Sequence, residues 1–270
     1  MNMTNKEYRE HEGISKSSLF KISKSPLHFK YAMDHPEEND TEALLFGRAV
    51  HKWILEPDTF YEEFAIMPTV DRRTNAGKEV YAKFLTLSED KDVITEDMFS
   101  KIKEMSDVVN SNEAAKKLIC GEHEQSFFWT DEQTGEPCKC RPDILAEIGG
   151  RHIIVDYKTT DSAETSDFMK SAIKYGYDLQ SGMYTEGMKA NTGNDYMFVF
   201  IAQEKKPPYA INIVEATEDF ISEGNQLFHD LLGIYHECKV TDNWYGYMQN
   251  GKTNVLDLPD WLKREVENGN

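Results

Sequence analysis

The chain has 270 residues, of which 39% are hydrophobic and 29% are charged, a composition typical of a water-soluble globular protein. No stretch is apolar for long enough to span a membrane, and the N-terminus lacks the apolar core of a signal peptide, so we expect a cytoplasmic protein whose four cysteines are thiols. The net charge of −18 argues, by itself, against nucleic-acid binding, because proteins that bind DNA usually present a basic surface.

Residues 1–120 are predicted to be mainly helical. Apolar residues recur at helical spacing in residues 41–56, and Pro57 follows the end of the pattern, so this segment predicts a strong amphipathic helix. The other N-terminal predictions are a helix over residues 14–35 interrupted near Pro26, a basic loop that runs into a helix within residues 71–84, and a helix over residues 95–119.

Residues 121–240 are predicted to form the core, because the apolar pattern changes to the alternation typical of β-strands. Three strands are predicted within residues 124–160, and one each within 195–204 and 207–217. Helices are predicted at about 164–174, 178–190 and 218–239. Residues 241–270 are predicted to form a tail that docks through residues 256–270. Strands flanked by helices on both sides in sequence predict a single α/β domain of three layers, α/β/α, with a mixed central sheet and an N-terminal helical extension.

The charge is unevenly distributed along the chain. Residues 13–33 contain four lysines and no acidic residue, whereas residues 215–270 contain eleven acids and four bases. One interpretation is an acidic exterior with a local basic surface that binds an anionic partner. The other is that the excess of acids only keeps the protein soluble.

The pair Gly149-Gly150 predicts a two-residue hairpin turn, because such turns need positive φ angles. If these glycines form the turn, the register places Asp143 opposite Asp156 on the neighbouring strand, with Cβ atoms about 5 Å apart. Side chains alternate along a strand, so Asp156 and Lys158 share one face. Pro142 cannot donate a ladder hydrogen bond, so the first strand is expected to bulge or end there.

Two facing carboxylates repel each other unless a proton or a cation lies between them. Mg²⁺ prefers oxygen ligands of this kind, and two such ions can stabilise the attacking and leaving oxygens of a phosphoryl displacement. Lys158 would then polarise the attacking water or stabilise developing negative charge, whereas action as a base requires a pKa far below its usual value of about 10.4. The alternative is an ion pair of Asp156 and Lys158 with Asp143 exposed. Glu124, which precedes the first strand, is expected to be a solvated charge rather than an acid beside this site.

Four short motifs occur in order along the chain: "GRAVH" at 47–51, "RPD" at 141–143, "DYK" at 156–158 and "QSGMY" at 180–184. "RPD" with "DYK" resembles the signature of the PD-(D/E)XK nucleases, and the other two motifs resemble the GxxxH and QxxxY motifs of the RecB-like branch. The segments "ISKSSLFKISKSPLHFKYA" and "KYGYDLQSGMY" look most similar to the RecE (exodeoxyribonuclease VIII) nuclease domain and its phage-borne relatives. The resemblance covers nearly the whole chain and implies a PD-(D/E)XK nuclease core.

The resemblance implies a role for each residue of the central motifs. Asp143 would be the central metal ligand, and Asp156 with the backbone carbonyl of Tyr157 would complete the site of a catalytic Mg²⁺, for which Mn²⁺ would substitute. Lys158 would activate the attacking water. His51 would reach a second metal from its helix.

Gln180 and Tyr184 would lie near Lys158 and the DNA backbone, and their i, i+4 spacing independently places both on one helical face. The resemblance also implies a 5′→3′ exonuclease on double-stranded DNA ends that leaves a 3′ single strand for a single-strand annealing protein. Such enzymes are often homo-oligomeric rings, here a trimer or a tetramer. A ring with basic side chains on its inner surface and acidic ones outside would reconcile the negative net charge of the chain with DNA binding. The alternatives are an endonuclease or single-strand nuclease of the same fold, and an inactive scaffold that binds DNA ends.

Some RecB-like nucleases, such as the CRISPR-associated adaptation nucleases, carry an iron–sulfur cluster held by three cysteines after the QxxxY motif. In this chain only Cys238 follows that motif, so we expect no iron–sulfur cluster. Cys138 and Cys140 alternate onto one strand face, but zinc needs four ligands and no second pair has suitable spacing.

Five further residues are candidates for contact with DNA. Ser15 and Ser17 begin a basic helix whose N-terminus could receive the 5′-phosphate of DNA, although ordinary N-capping by Ser15 explains them equally well. Arg48 would bind a phosphate or pair with an acid. Arg72 and Arg73 would hold DNA from a loop, or be solvated there.

Overall fold

In the computed structural model of the chain, residues 3–35, 41–248, 253–259 and 263–264 are described. The α-helices are α1 (Asn5–Glu10), α2 (Lys16–Ile22), α3 (Pro26–Asp34), α4 (Glu42–Leu55), α5 (Phe60–Glu63), α6 (Asn75–Leu87), α7 (Glu96–Ser111), α8 (Glu113–Ile119), α9 (Thr165–Lys174), α10 (Tyr177–Thr192) and α11 (Glu218–Thr241). The strands are β1 (Phe64–Ile66), β2 (Asp92–Ile94), β3 (Glu122–His123), β4 (Phe127–Thr130), β5 (Pro137–Cys140), β6 (Ile144–Ile148), β7 (Arg151–Thr160), β8 (Tyr196–Glu204) and β9 (Ile211–Glu215).

Five strands form the central sheet, in the order β3-β6-β7-β8-β9. The pairing of β7 with β8 is parallel and the other pairings are antiparallel, so the sheet is mixed, as predicted. A parallel pair needs a crossover connection, and α9 and α10 supply it between β7 and β8.

Alternate residues of β7 face two different layers of helices. Val155 and Tyr157 belong to a core that includes residues of α4, α7 and α8, whereas Ile154 packs with residues of α9 and α10. Apolar side chains are therefore buried on both faces of the sheet, which is the predicted α/β/α arrangement.

Two sequence predictions are wrong in detail. Residues 124–160 form four strands rather than three, because β4 and β5 pair with each other as a separate two-stranded sheet. Their Trp129 ring lies against α10 at Gly187, so the hairpin covers that helix instead of extending the central sheet. Residues 95–119 form two helices, because Asn112 ends α7 and its side chain caps α8.

The helical interruption near Pro26 is confirmed. The Ser25 side chain accepts a hydrogen bond from the His28 amide, and Pro26 occupies the first position of α3, where its missing N–H costs nothing. The structure adds α1 to the predicted helices. Thr4 and Glu7 form a capping box at its start.

The predicted docking tail is only partly described. Trp244 stacks on Phe29 of α3 with 5.5 Å between ring centroids, so the chain just after α11 is held against the N-terminal helices. Most of residues 256–270 lie outside the described residues, and the Leu256 side chain is 100% exposed. Within the described part of the chain, none of the helices combines the length and the apolar character that crossing a membrane demands.

Candidate active site

The β6–β7 hairpin brings Asp143 to β7. Gly149 and Gly150 form the turn with φ angles of 62° and 75°, and the register runs from Ile148 opposite Arg151 to Ile144 opposite Val155, as predicted. The ladder ends at Ile144, so Asp143 stands just outside it. Its Oδ2 accepts a hydrogen bond from the Tyr157 amide at 2.9 Å, which fixes the carboxylate beside β7.

Asp156 is buried, with 1% of its surface exposed, and two side chains hold it. Gln180 of α10 donates a hydrogen bond to Oδ1, and the Lys158 ammonium lies 2.6 Å from Oδ2. Asp156 and Lys158 therefore share a face of β7, as predicted. The Tyr157 hydroxyl donates a hydrogen bond to Gln203 in the core, on the opposite face.

Asp156 and Lys158 each shift the pKa of the other. Burial raises the pKa of Asp156 to about 6, although the neighbouring Lys158 ammonium acts in the opposite direction. Burial alone would lower the pKa of Lys158, but the Asp156 and Asp143 carboxylates raise it above its ordinary value. Lys158 is consequently a cation, suited to stabilising negative charge rather than accepting a proton.

His51 of α4 lies between two carboxyl groups. Its Nε2 is 3.0 Å from Asp143 Oδ2 and its Nδ1 is 3.5 Å from Glu124 Oε1. Burial alone would lower the pKa of His51, but these carboxyl groups raise it to about 9. Burial alone would likewise raise the pKa of Asp143, which the His51 and Lys158 charges bring below its ordinary value.

Glu124 is part of the site, contrary to the expectation of a solvated charge. Its backbone has a φ of 51°, and its amide donates to the Asp143 carbonyl at 3.0 Å. Arg141 Nε lies 2.7 Å from Oε2 and turns the carboxyl group toward His51. Burial raises the pKa of Glu124 to about 7. A side chain in the left-handed backbone region is uncommon and typical of functional sites.

The donor set fits a hard divalent cation. Ligand atoms of His51, Glu124 and Asp143 lie within 4.8 Å of one another. Asp156 Oδ2 is buried and, among the described residues, accepts no hydrogen bond in addition to its ion pair. Carboxylate oxygens and one imidazole are suitable ligands for Mg²⁺ or Mn²⁺. The shared coordination of one ion by Asp143, Asp156 and the Tyr157 carbonyl stays a prediction.

Close packing of α10 against α11 sets the position of Gln180. A Cβ atom at Gly182 would lie 2.1 Å from the Asn225 amide nitrogen, so only glycine allows the two helices to approach this closely. One turn further along α10, Tyr184 is half-buried and its ring packs on Phe198, 6.5 Å between centroids. Gln180 thus contacts the acidic site directly, and Tyr184 lines the cleft beside it.

The site opens into a cleft of about 1150 Å³ that also exposes Lys16, a residue outside the predicted set. The Lys16 Nζ donates to the Tyr175 carbonyl at 2.7 Å. Burial and the nearby Lys158 ammonium lower the pKa of Lys16 to about 8. The available sequence signal is its place at the first position of α2, where the helix dipole disfavours a cation.

The remaining residues that were predicted to contact DNA do not all lie at the acidic site. Ser15 caps α2 by accepting from the Ser18 amide, and its hydroxyl lies 3.0 Å from that of Ser17. Arg48 lines the cleft but pairs with Asp92 at 2.8 Å, which is the acid-pairing alternative. Arg72 stacks on Tyr81, 3.7 Å from the ring centroid, and Arg73 is exposed in the same turn. Neither arginine lines the cleft, so their contact with DNA stays a prediction.

The fold and this acidic site define a nuclease-like α/β/α domain of the PD-(D/E)XK class, a class that depends on divalent metals. Residues 15–258 match the family described as "PDDEXK-like domain of unknown function (DUF3799)", and the chain belongs to that family. No curated protein sequence matches it.

Two solved structures match the chain. A putative exonuclease from Eubacterium rectale is similar with a TM-score of 0.63 and 17% sequence identity, over 96% of each chain. The structure of SSO0001 matches with a TM-score of 0.31 and 18% identity, over 80% of this chain and 84% of that one. The first likeness supports the α/β/α fold. Together with the family match it supports the PD-(D/E)XK superfamily and does not distinguish RecE from other branches.

Proposed function

We propose that the protein is a Mg²⁺-dependent 5′→3′ exonuclease that acts on double-stranded DNA ends and leaves 3′ single-stranded tails. The proposal depends on one observation: His51, Asp143 and Lys158 line one cleft, and the buried Asp156 pairs with Lys158 directly behind it. The similarity to a protein described as a putative exonuclease supports it, as does the ordered set of motifs.

Each side chain has a defined part in this reaction. Asp143, Asp156 and His51, with Glu124 beside His51, would hold the divalent cation, which when bound polarises the phosphate and lowers the pKa of a water. Gln180 donates to Asp156 Oδ1, which leaves Oδ2 as the oxygen that would contact the cation. The Lys158 ammonium lies 2.6 Å from that oxygen and would stabilise charge that develops on the phosphate.

The biological setting is part of the same proposal. Tails of this kind are substrates for a single-strand annealing protein in recombination, and a trimeric or tetrameric ring would keep the enzyme on its DNA. The four free cysteines fit the reducing cytoplasm of a bacterium or a phage-infected cell.

The test is digestion of linear duplexes labelled at one 5′ or one 3′ end, beside a closed circular duplex of the same sequence. With Mg²⁺ we expect the 5′ label to be released first from linear DNA, faster when the end carries a 5′-phosphate, and the circle to stay intact. Cutting of the circle would indicate an endonuclease instead. Cutting of single strands alone would indicate a single-strand nuclease, and binding of ends without any cutting would indicate a scaffold.

A further inference from the structure

Two tyrosine rings and two lysines form a series that starts at Lys158, and all of its members except Lys174 line the cleft. The Lys158 Nζ lies 4.9 Å from the centre of the Tyr177 ring, and the Tyr177 and Tyr175 ring centres are 6.1 Å apart. The Lys174 Nζ lies 5.3 Å from the centre of the Tyr175 ring. The series therefore runs from the acidic site to the protein surface, where Tyr175 is 48% exposed.

The N-terminal helix α2 supplies a second row beside this series. The Lys16 Nζ lies 5.6 Å from the centre of the Tyr177 ring and 5.0 Å from that of Phe20. We call these six residues the aromatic–lysine track: Lys16, Phe20, Lys158, Lys174, Tyr175 and Tyr177.

The turn between α9 and α10 packs against α2 and so brings the two rows of the track together. Gly176 has a φ of 65°, and a Cβ atom there would lie 2.6 Å from the Phe20 ring. A glycine at this position therefore lets Phe20 pack directly against the turn that carries Tyr175 and Tyr177. Lys16 reinforces the contact through its hydrogen bond to the Tyr175 carbonyl.

Two features of the track are not explained by packing or by ion pairs. Tyr177 stacks on Phe200 at 5.7 Å between centroids and is half-buried, but Tyr175 is exposed, and among the described residues no core ring stacks on it. Within the described ranges, neither Lys16 nor Lys174 forms an ion pair with a carboxylate, although the chain carries a net charge of −18. The Lys16 ammonium uses one of its three N–H donors on the Tyr175 carbonyl, so both ammonium groups keep donors for an anion.

We propose that the aromatic–lysine track binds one unpaired nucleic-acid strand next to the phosphate that is cut. Bases stack on the exposed Tyr175 ring and on the ring of Phe20, while Lys16 and Lys174 bind the phosphates between them. Aromatic rings interleaved with cations are the means by which proteins hold single strands without reading their sequence. The inference rests on the proposed function, since it assigns the path of that enzyme's substrate.

The first experiment measures binding of a fluorescein-labelled oligodeoxythymidylate to the full-length protein by anisotropy, with a chelator present so that nothing is cut. Tyr175→Ala should weaken binding about tenfold through loss of one base stack, and Tyr175→Phe should bind like the wild type. Tyr31→Ala is the matched control, because Tyr31 is 64% exposed on α3 and lies outside the cleft. The same affinity for Tyr175→Ala and the wild type, or no binding by either, would overturn the track.

A second measurement separates stacking from a general structural effect. A 2-aminopurine at one end of the strand should lose fluorescence on binding to the wild type and to Tyr175→Phe, and keep it with Tyr175→Ala. Lys174→Met should reduce the salt dependence of binding by about 0.7 in log–log slope, whereas Lys170→Met, on the same helix, should not. Equal salt slopes for the two lysine variants would contradict the phosphate role of Lys174.

The track and the proposed function fail in different ways. Strand binding that depends on Tyr175, together with no Mg²⁺-dependent cutting, leaves the track in place and overturns the nuclease. If the protein cuts DNA normally but Tyr175→Ala does not change its affinity for a single strand, the proposed role of the track is wrong and the nuclease proposal stands.

Discussion

Gln180 donates its side-chain amide to Asp156 Oδ1, and this hydrogen bond joins α10 to the central strand of the acidic site. Asp156 is buried, so an oxygen that lost this donor would have no water to replace it. The contact therefore determines both the stability of the site and the direction in which Asp156 Oδ2 points.

Replacement of Gln180 with alanine should destabilise the fold by about 1–3 kcal/mol, because a buried carboxyl oxygen loses its donor. Divalent-metal affinity should fall as well, since Asp156 is no longer oriented. Thermal unfolding and a metal titration measure the two effects. Gln226→Ala is the control, because Gln226 donates to Asp230 on the exposed side of α11, and it should change stability by no more than about 0.5 kcal/mol. Equal effects of the two variants on stability and metal affinity would contradict the role of Gln180 in orienting Asp156.

Glu124→Gln should weaken binding of Mn²⁺ about 10- to 100-fold while the protein stays folded. The substitution preserves shape but removes the charge that faces His51 Nδ1 at 3.5 Å. Isothermal titration calorimetry measures the affinity. The matched control is Glu122→Gln, two residues away on β3 and exposed, which should bind like the wild type. A Glu124→Gln protein with wild-type affinity would show that this carboxyl group does not act on the cation.

Metal affinity should rise with pH, since protons must leave the ligands before the cation binds. The pKa of Asp156 is raised to about 6 and that of His51 to about 9, so both lose protons as the pH increases through this interval. Titrations at a series of pH values should show tighter binding up to about pH 9, with proton release on binding. In His51→Ala the upper part of this dependence should disappear. An affinity that does not vary with pH would contradict the assignment of these ligands.

Gly182→Ala should destabilise the protein by about 1–3 kcal/mol or more, because the added methyl group meets the backbone of α11. The clash is with the Asn225 amide nitrogen, 2.1 Å from the new atom, which cannot move as a side-chain end could. Gly233→Ala on α11 is the control, since no atom of the described residues lies within 4 Å of its Cβ position. That variant should be more stable by up to about 1 kcal/mol. Chemical denaturation measures both, and a stable Gly182→Ala protein would contradict the packing of α10 on α11.

The hairpin that carries the site was predictable from sequence because its determinants are local. Gly149 and Gly150 specify the turn, and the strand period then places Asp143 beside β7 and aligns Asp156 with Lys158. The order of helices and strands in the core follows from periodicity for the same reason. Pro142 predicted a bulge or a strand end, and the ladder ends two residues beyond it, at Ile144.

The parts that were missed depend on contacts between distant segments. Glu124 joins the site only because Arg141 and its own left-handed backbone turn it toward His51. Lys16 reaches the cleft because α2 packs against the α9–α10 turn, 159 residues further along the chain. The β4–β5 hairpin is separate from the central sheet because it packs on α10, and the alternating pattern of a strand does not predict this packing.

The most direct test of the central claim compares the wild type with Lys158→Ala on an end-labelled linear duplex, with Mg²⁺ and with a chelator. The account predicts degradation by the wild type only when Mg²⁺ is present, no degradation by Lys158→Ala under either condition, and DNA binding by both. Lys170→Ala, an exposed lysine of α9 paired with Asp167, should degrade DNA like the wild type. Degradation by Lys158→Ala at the wild-type rate, or by the wild type in chelator, would contradict the assignment of this cleft as a metal-dependent nuclease site.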